Sequence, residues 1–269
     1  HIWKECQPDL LDYSANINPL GMPESVRKAV AEAILEQVHY PEPRARTLQR
    51  KLAAHYQVQT EEIFVANGAA EALYLLAGAL KPKTALVMAP TFSEYERSLL
   101  PEECEIEQIE LLKEENFAIP LEVVKSRLGQ VDIAYFGNPN NPAGAMETTE
   151  EWRALLKVAQ ESSTFVVVDE SFLDFFPEGG TSYSAKPLLE EGFDNLLVLH
   201  SLTKFFALPG LRLGFAASSP RIIEALESRS DVWNVNGLAQ IAGLAALEDK
   251  EYQAKTRTEL PKWQKDMAD

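Results

Sequence analysis

Short apolar runs recur along the chain, separated by longer stretches whose apolar residues return every three to four positions. Ile63–Ala66, Ala85–Met88, Val131–Phe136, Phe165–Val168, Leu196–Leu199 and Leu213–Ala217 read as buried strands. Cys104–Ile109 alternates apolar and polar residues, as a half-buried strand does. Between them the periodicity predicts helices. One opens at Pro23 and carries Val26, Val30, Ala33 and Ile34; a second runs from Ala45 to Tyr56. Others follow over Ala72–Leu80, after Pro90–Tyr95, over Thr149–Ser162, from Pro220 to Ser228 and over Leu238–Leu247. Glu251–Asp269 reads as an exposed charged helix, and His39–Pro43 as a rigid extended link.

Strands apolar on both faces, alternating with helices, require a mostly parallel central sheet covered on both sides, the α/β class. Such sheets bind ligands beyond the carboxyl ends of their strands. The chemically distinctive residues collect there. Asn67-Gly68-Ala69-Ala70 turns a strand into a helix, and free N–H groups at such a helix start suit an anion. Phe92 follows the next strand, Asn141 sits in Asn138-Pro139-Asn140-Asn141-Pro142-Ala143-Gly144, and Asp169 ends a strand. In isolation Phe92 would read as core filler, Asp169 as a cap or ion-pair partner, and the Gly68 turn as a plain connection.

Composition narrows the possibilities. A net charge of −16, from 41 acidic and 25 basic residues, excludes a general nucleic-acid or anionic-membrane binder but not a local basic pocket. Cys6 and Cys104 form neither a disulfide framework nor a zinc pattern, and no metal site is expected. Cys104 reads as a packing residue and His55 as a structural or surface histidine. Without a membrane-length apolar run or a leader pattern, the expected location is the cytoplasm.

The candidate chemistry centres on Ser201-Leu202-Thr203-Lys204-Phe205-Phe206, followed by Pro209-Gly210-Leu211-Arg212. A lysine between apolar residues has its charged form disfavoured, so its amine is a nucleophile for an aldehyde. Ser201, Thr203 and Arg212 could hold a phosphate beside it. An amine for an aldehyde next to a phosphate anchor is what pyridoxal 5′-phosphate requires.

Ser201-Leu202-Thr203-Lys204, with Arg212 eight residues on, resembles the cofactor-lysine signature of the fold-type I pyridoxal phosphate aminotransferases. Asn138–Gly144 is similar to their Asn-Pro-(Thr/Ala)-Gly loop, and Asp169 stands where their pyridine-binding aspartate belongs. Asp12–Gly21, Asp169–Phe175 and Trp233–Asn236 are similar to the branch holding the threonine-phosphate decarboxylases of cobalamin synthesis, relatives of the histidinol-phosphate aminotransferases.

The resemblance implies that Lys204 carries the cofactor and that Ser201, Thr203, Arg212 and the Gly68-Ala69-Ala70 turn hold its phosphate. It puts Asp169 on the ring nitrogen, Phe92 on the ring face and Asn141 on the 3′-oxygen, alone because Phe172 replaces a tyrosine. Tyr40 would reach the cofactor of a neighbouring subunit, giving a homodimer with shared active sites. Asn16 would contact the substrate carboxylate, and His1 would be the remnant of a phosphate-gripping His-Gly-Gly segment.

The expected division is an arm and helix over 1–39, a cofactor-binding large domain over 40–235, and a connection over 236–269. A C-terminal small domain of about 100 residues would lie outside the chain. The expected reaction is decarboxylation of threonine phosphate, a small phosphorylated amino acid. Histidinol-phosphate-type transamination is the alternative, and a non-catalytic binding or regulatory protein the third reading.

Overall fold

A computed structural model of the chain describes residues 15–268. The expectation attached to His1 falls outside the described residues. The strands are β1 (Ile63–Ala66), β2 (Thr84–Ala89), β3 (Glu105–Glu110), β4 (Ile133–Gly137), β5 (Phe165–Asp169), β6 (Leu196–Ser201) and β7 (Gly214–Ser218). They form one sheet in the order β1-β7-β6-β5-β4-β2-β3. Neighbours run parallel except β7, which is antiparallel to both β1 and β6. The α/β expectation holds, with one reversed strand.

The helices are α1 (Glu24–Ala33), α2 (Arg46–Tyr56), α3 (Ala69–Leu80), α4 (Glu94–Leu99), α5 (Leu121–Leu128), α6 (Thr149–Glu161), α7 (Leu202–Phe205), α8 (Pro220–Glu227), α9 (Gly237–Glu248) and α10 (Lys250–Ala268). Successive residues of a strand point to opposite faces, so each apolar strand feeds two cores. Val65, Met88, Val166 and Val168 pack with α2, α5, α6 and α9, whereas Phe64, Val87, Ile133 and Val167 pack with α3, α4 and α8. Burying one Val or Leu contributes roughly 1.5–3 kcal/mol, so this double cover makes the sheet a firm platform. Edge strand β3 carries exposed Glu105 and Glu110, and this charge discourages pairing with another chain.

Two elements differ from the expectation in a way that matters for the site. Helix α3 begins at Ala69, three residues earlier than its apolar stripe, because Gly68 at φ +79° turns the chain directly into it. Helix α10 is not simply exposed: Tyr252, Gln253 and Thr256 are buried. Tyr252 donates from its hydroxyl to the Gly21 carbonyl at 2.7 Å, and Asn18 donates to Thr256 Oγ1 at 2.9 Å. Residues spaced i, i+4 share a helix face, so a narrow seam is buried within a mostly charged sequence. Helix α5, which no pattern announced, packs Val124 and Leu128 against α6.

Candidate active site

The carboxyl ends of β1, β2, β4, β5 and β6 lie at one edge of the sheet, and reversal of β7 brings its amino end, just after Arg212, to the same edge. A cavity opens there, lined by Ala69, Ala70, Phe92, Asn141, Asp169, Ser201, Thr203, Lys204 and Arg212. Thus nine of the residues singled out from sequence meet in one place, with Tyr95, Pro139, Ser171 and Phe172 beside them.

Lys204 sits on α7, a single turn that starts where β6 ends. Ser201 caps that turn: its hydroxyl accepts from the Thr203 N–H at 3.3 Å and lies 2.7 Å from the Thr203 hydroxyl. Among the described residues the Lys204 amine has neither a hydrogen-bond partner nor an ion-pair partner. Burial, then the nearby Arg212 guanidinium, pull the amine below its ordinary pKa, and Asp169 opposes them.

Asp169 is buried, with 7% of its surface exposed. The Tyr95 hydroxyl donates to its Oδ2 at 3.0 Å, and the Ser171 N–H donates to its Oδ1 at 3.0 Å. Burial pushes the carboxyl above the ordinary carboxylate range, and the donors of Ser171 and Tyr95 pull it partly back. No cationic side chain pairs with it among the described residues. A buried carboxylate left without a counter-charge is costly, so the cavity favours a cation at this point.

Across the cavity, Gly68 precedes the open end of α3, whose first N–H groups face anions. A β-carbon on Gly68 would come within 2.5 Å of Arg212 Nη2, so a larger residue would displace the guanidinium as well as strain a backbone at φ +79°. Gly214 is constrained likewise: a β-carbon there would meet the Ala69 nitrogen at 2.6 Å. Helix start, guanidinium and the Ser201–Thr203 hydroxyl pair together form an anion cradle beside Lys204.

The Asn138–Gly144 loop is pinned from several sides. Asn138 donates to the Tyr183 carbonyl at 2.6 Å and accepts from the Glu147 N–H at 2.9 Å. Asn140 donates to the Pro90 carbonyl at 2.9 Å and accepts from the Thr91 hydroxyl at 2.7 Å. Asn141 is thereby held over the cavity, and Asn16 donates to its Oδ1 at 3.3 Å. Asn16 and Asn141 line a second, outer chamber of about 370 Å³ against about 120 Å³ for the inner one.

Tyr40 is not brought to this cavity. It is 80% exposed and stacks on Trp233 with ring centroids 4.7 Å apart. Tyr95 and Ser171 were not singled out from sequence. Ser171 had a readable signal, since a short hydroxyl two residues after an Asp caps its carboxylate. Tyr95 had none, because it reaches Asp169 from a helix that follows a different strand.

An α/β sheet with a lone lysine amine, a buried carboxylate and an anion cradle at one edge defines a class of enzyme fold that binds a phosphorylated aldehyde cofactor. The family model for aminotransferases of class I and II matches residues 8–269, and the chain belongs to that family. Its cofactor is pyridoxal 5′-phosphate. The chain is 36% identical over 251 residues to a threonine-phosphate decarboxylase of Salmonella typhimurium, covering 93% of this chain and 68% of that one. It is 33% identical to the adenosylcobalamin biosynthesis bifunctional protein CobDQ of Leptospira interrogans, covering 96% of this chain and 30% of that one. Among solved structures it is similar to the histidinol-phosphate aminotransferase of Clostridium acetobutylicum, with TM-score 0.84, 30% identity and coverage of 93% of this chain and 73% of that one. The chain spans about two thirds of the length of curated relatives it matches, 65% and 68% in two of them.

Proposed function

We propose that the protein is a pyridoxal phosphate-dependent decarboxylase of threonine phosphate, acting in cobalamin synthesis in the cytoplasm. The observation that carries this reading is the pairing, in one cavity, of the partnerless Lys204 amine with the cation-seeking Asp169 carboxylate. The residues fit the cofactor: Ser201, Thr203, Arg212 and the α3 N–H groups would hold its phosphate, Phe92 its ring face, Asn141 its 3′-oxygen and Asp169 its nitrogen. Once bound, pyridoxal phosphate supplies an aldehyde for amines and a ring that accepts electrons from the substrate.

The side chains then divide the work. Lys204, with a lowered pKa, is more readily deprotonated as a nucleophile, and it stands where it can return a proton to the substrate Cα. Asp169 would hold the ring nitrogen of the bound cofactor in its protonated form. Which bond breaks depends on how the substrate carboxylate is gripped, and Asn16 lines the chamber where that grip is made. Phe172 at the cavity wall, together with likeness to the threonine-phosphate decarboxylase and the cobalamin-synthesis protein, favours decarboxylation over transamination.

The reading includes a homodimer. Tyr40, with exposed Leu35 and Val38 before it in the chain and exposed Trp233 stacked on it, offers an apolar surface suited to a second copy, through which Tyr40 would reach the partner's cofactor.

The test is carbon dioxide release from O-phospho-L-threonine by full-length, pyridoxal phosphate-loaded protein, with and without 2-oxoglutarate. Release independent of the ketoacid is expected. Glutamate formation from 2-oxoglutarate with histidinol phosphate, and no carbon dioxide, would replace this reading with an aminotransferase.

A further inference from the structure

The outer chamber shares Pro139, Asn141 and Phe172 with the inner cavity, so a ligand anchored at Lys204 extends into it. Its walls are apolar or neutral with one exception. Arg257, from the partly buried seam of α10, is the only charged side chain lining it among the described residues. The guanidinium is held rather than loose. Its Nε donates to the Asp174 carbonyl at 2.9 Å, and its centre lies 5.3 Å from the centroid of the Phe205 ring, next to Lys204 in sequence.

That anchoring uses Nε and leaves both terminal nitrogens without a hydrogen bond or carboxylate partner among the described residues. A half-buried guanidinium that meets no carboxylate retains a fork of donors matched to a tetrahedral or planar oxyanion. A net charge of −16 repels anions at long range, so an anionic substrate needs a local cation beyond the cofactor cradle.

We propose that Arg257 is a specificity-determining residue that receives the phosphate of the substrate in the outer chamber. The apolar rings of Phe172, Phe175 and Phe176 in its wall lower the local dielectric around that contact and strengthen it. Asp174 acts as a positioning residue, orienting the guanidinium through its carbonyl. Its own side chain is fixed from behind by the Tyr56 hydroxyl at 2.8 Å and His200 Nε2 at 2.9 Å. This inference rests on the reading that the substrate is a phosphorylated amino compound, but not on which bond of it is broken.

The experiment is equilibrium binding, by calorimetry, of O-phospho-L-threonine and of L-threonine to pyridoxal phosphate-loaded protein in which Lys204→Ala prevents turnover, with the wild-type Arg257, Arg257→Gln or Arg257→Lys. The protein retaining Arg257 should prefer the phosphorylated ligand. Arg257→Gln should lose roughly 10- to 100-fold of that ligand's affinity, as expected for removing a charge-assisted contact, while L-threonine binding stays unchanged. Arg257→Lys, which keeps the charge but loses the fork, should fall between. Retention of the bound cofactor's visible absorbance certifies that each variant is folded. Equal losses for both ligands, no loss in either variant, or no preference for the phosphorylated ligand where Arg257 is retained would overturn the proposal. An Arg257-dependent preference without carbon dioxide release by the protein retaining Lys204 would leave it standing and remove the decarboxylase reading instead.

Discussion

Tyr95 shows how one hydroxyl tunes a carboxylate that the sequence places but cannot surround. Its O–H to Asp169 favours the ionised carboxylate against the burial that disfavours it. Tyr95→Phe removes a donor that lowers the Asp169 pKa, so that pKa rises and the ring nitrogen is less firmly held in its protonated form. The expected result is roughly a tenfold fall in kcat, the size of one lost hydrogen bond, with the acid limb of the pH–rate profile moved to higher pH. An unchanged profile would separate Tyr95 from the chemistry. At this scale the sequence was informative where a residue's role follows from its own strand end, as for Lys204, Ser201 and Asp169. It was silent where the role comes from across the sheet, as for Tyr95.

At the scale of elements, helix starts carry the site's boundaries. The Gly68 turn was legible because glycine has few other uses at such a point, whereas Ser201, read from sequence only as a phosphate-holding hydroxyl, also caps α7. The sequence placed the start of α6 correctly at Thr149. Its cap is Thr148, which accepts from the Glu151 N–H at 3.3 Å. The buried seam of α10 was hidden by the charges around it, and with it Arg257.

Beside α6, Glu147 is buried next to the Asn138–Gly144 loop, and burial, reinforced by Glu151, raises its carboxyl from 4.5 to about 7. A carboxyl raised in the folded state contributes stability at low pH that is lost as pH climbs from about 4.5 through about 7. Glu147→Gln should remove that slope. Relative to the wild type, the variant should gain on the order of 1–3 kcal/mol between pH 5 and pH 8, read as a Tm difference of a few degrees. Parallel pH dependence in the two proteins would contradict the assignment.

At the scale of the molecule, one reversed strand completes the site. With β7 antiparallel, Arg212 arrives at the edge where the other strands end, facing the α3 start and Lys204. Apolar runs and intervening helices made the layered sheet legible. They do not encode strand direction, so the reversal that brings in Arg212 was not. No helix among the described residues is long and apolar enough to cross a membrane. The reading of this shared edge as a pyridoxal phosphate site built on Lys204 is tested by borohydride reduction of the cofactor-loaded protein followed by peptide mapping by mass. A stable pyridoxyl-phosphate adduct is expected on the peptide carrying Lys204, abolished in Lys204→Ala; an adduct on another lysine, or none, would rule that site out.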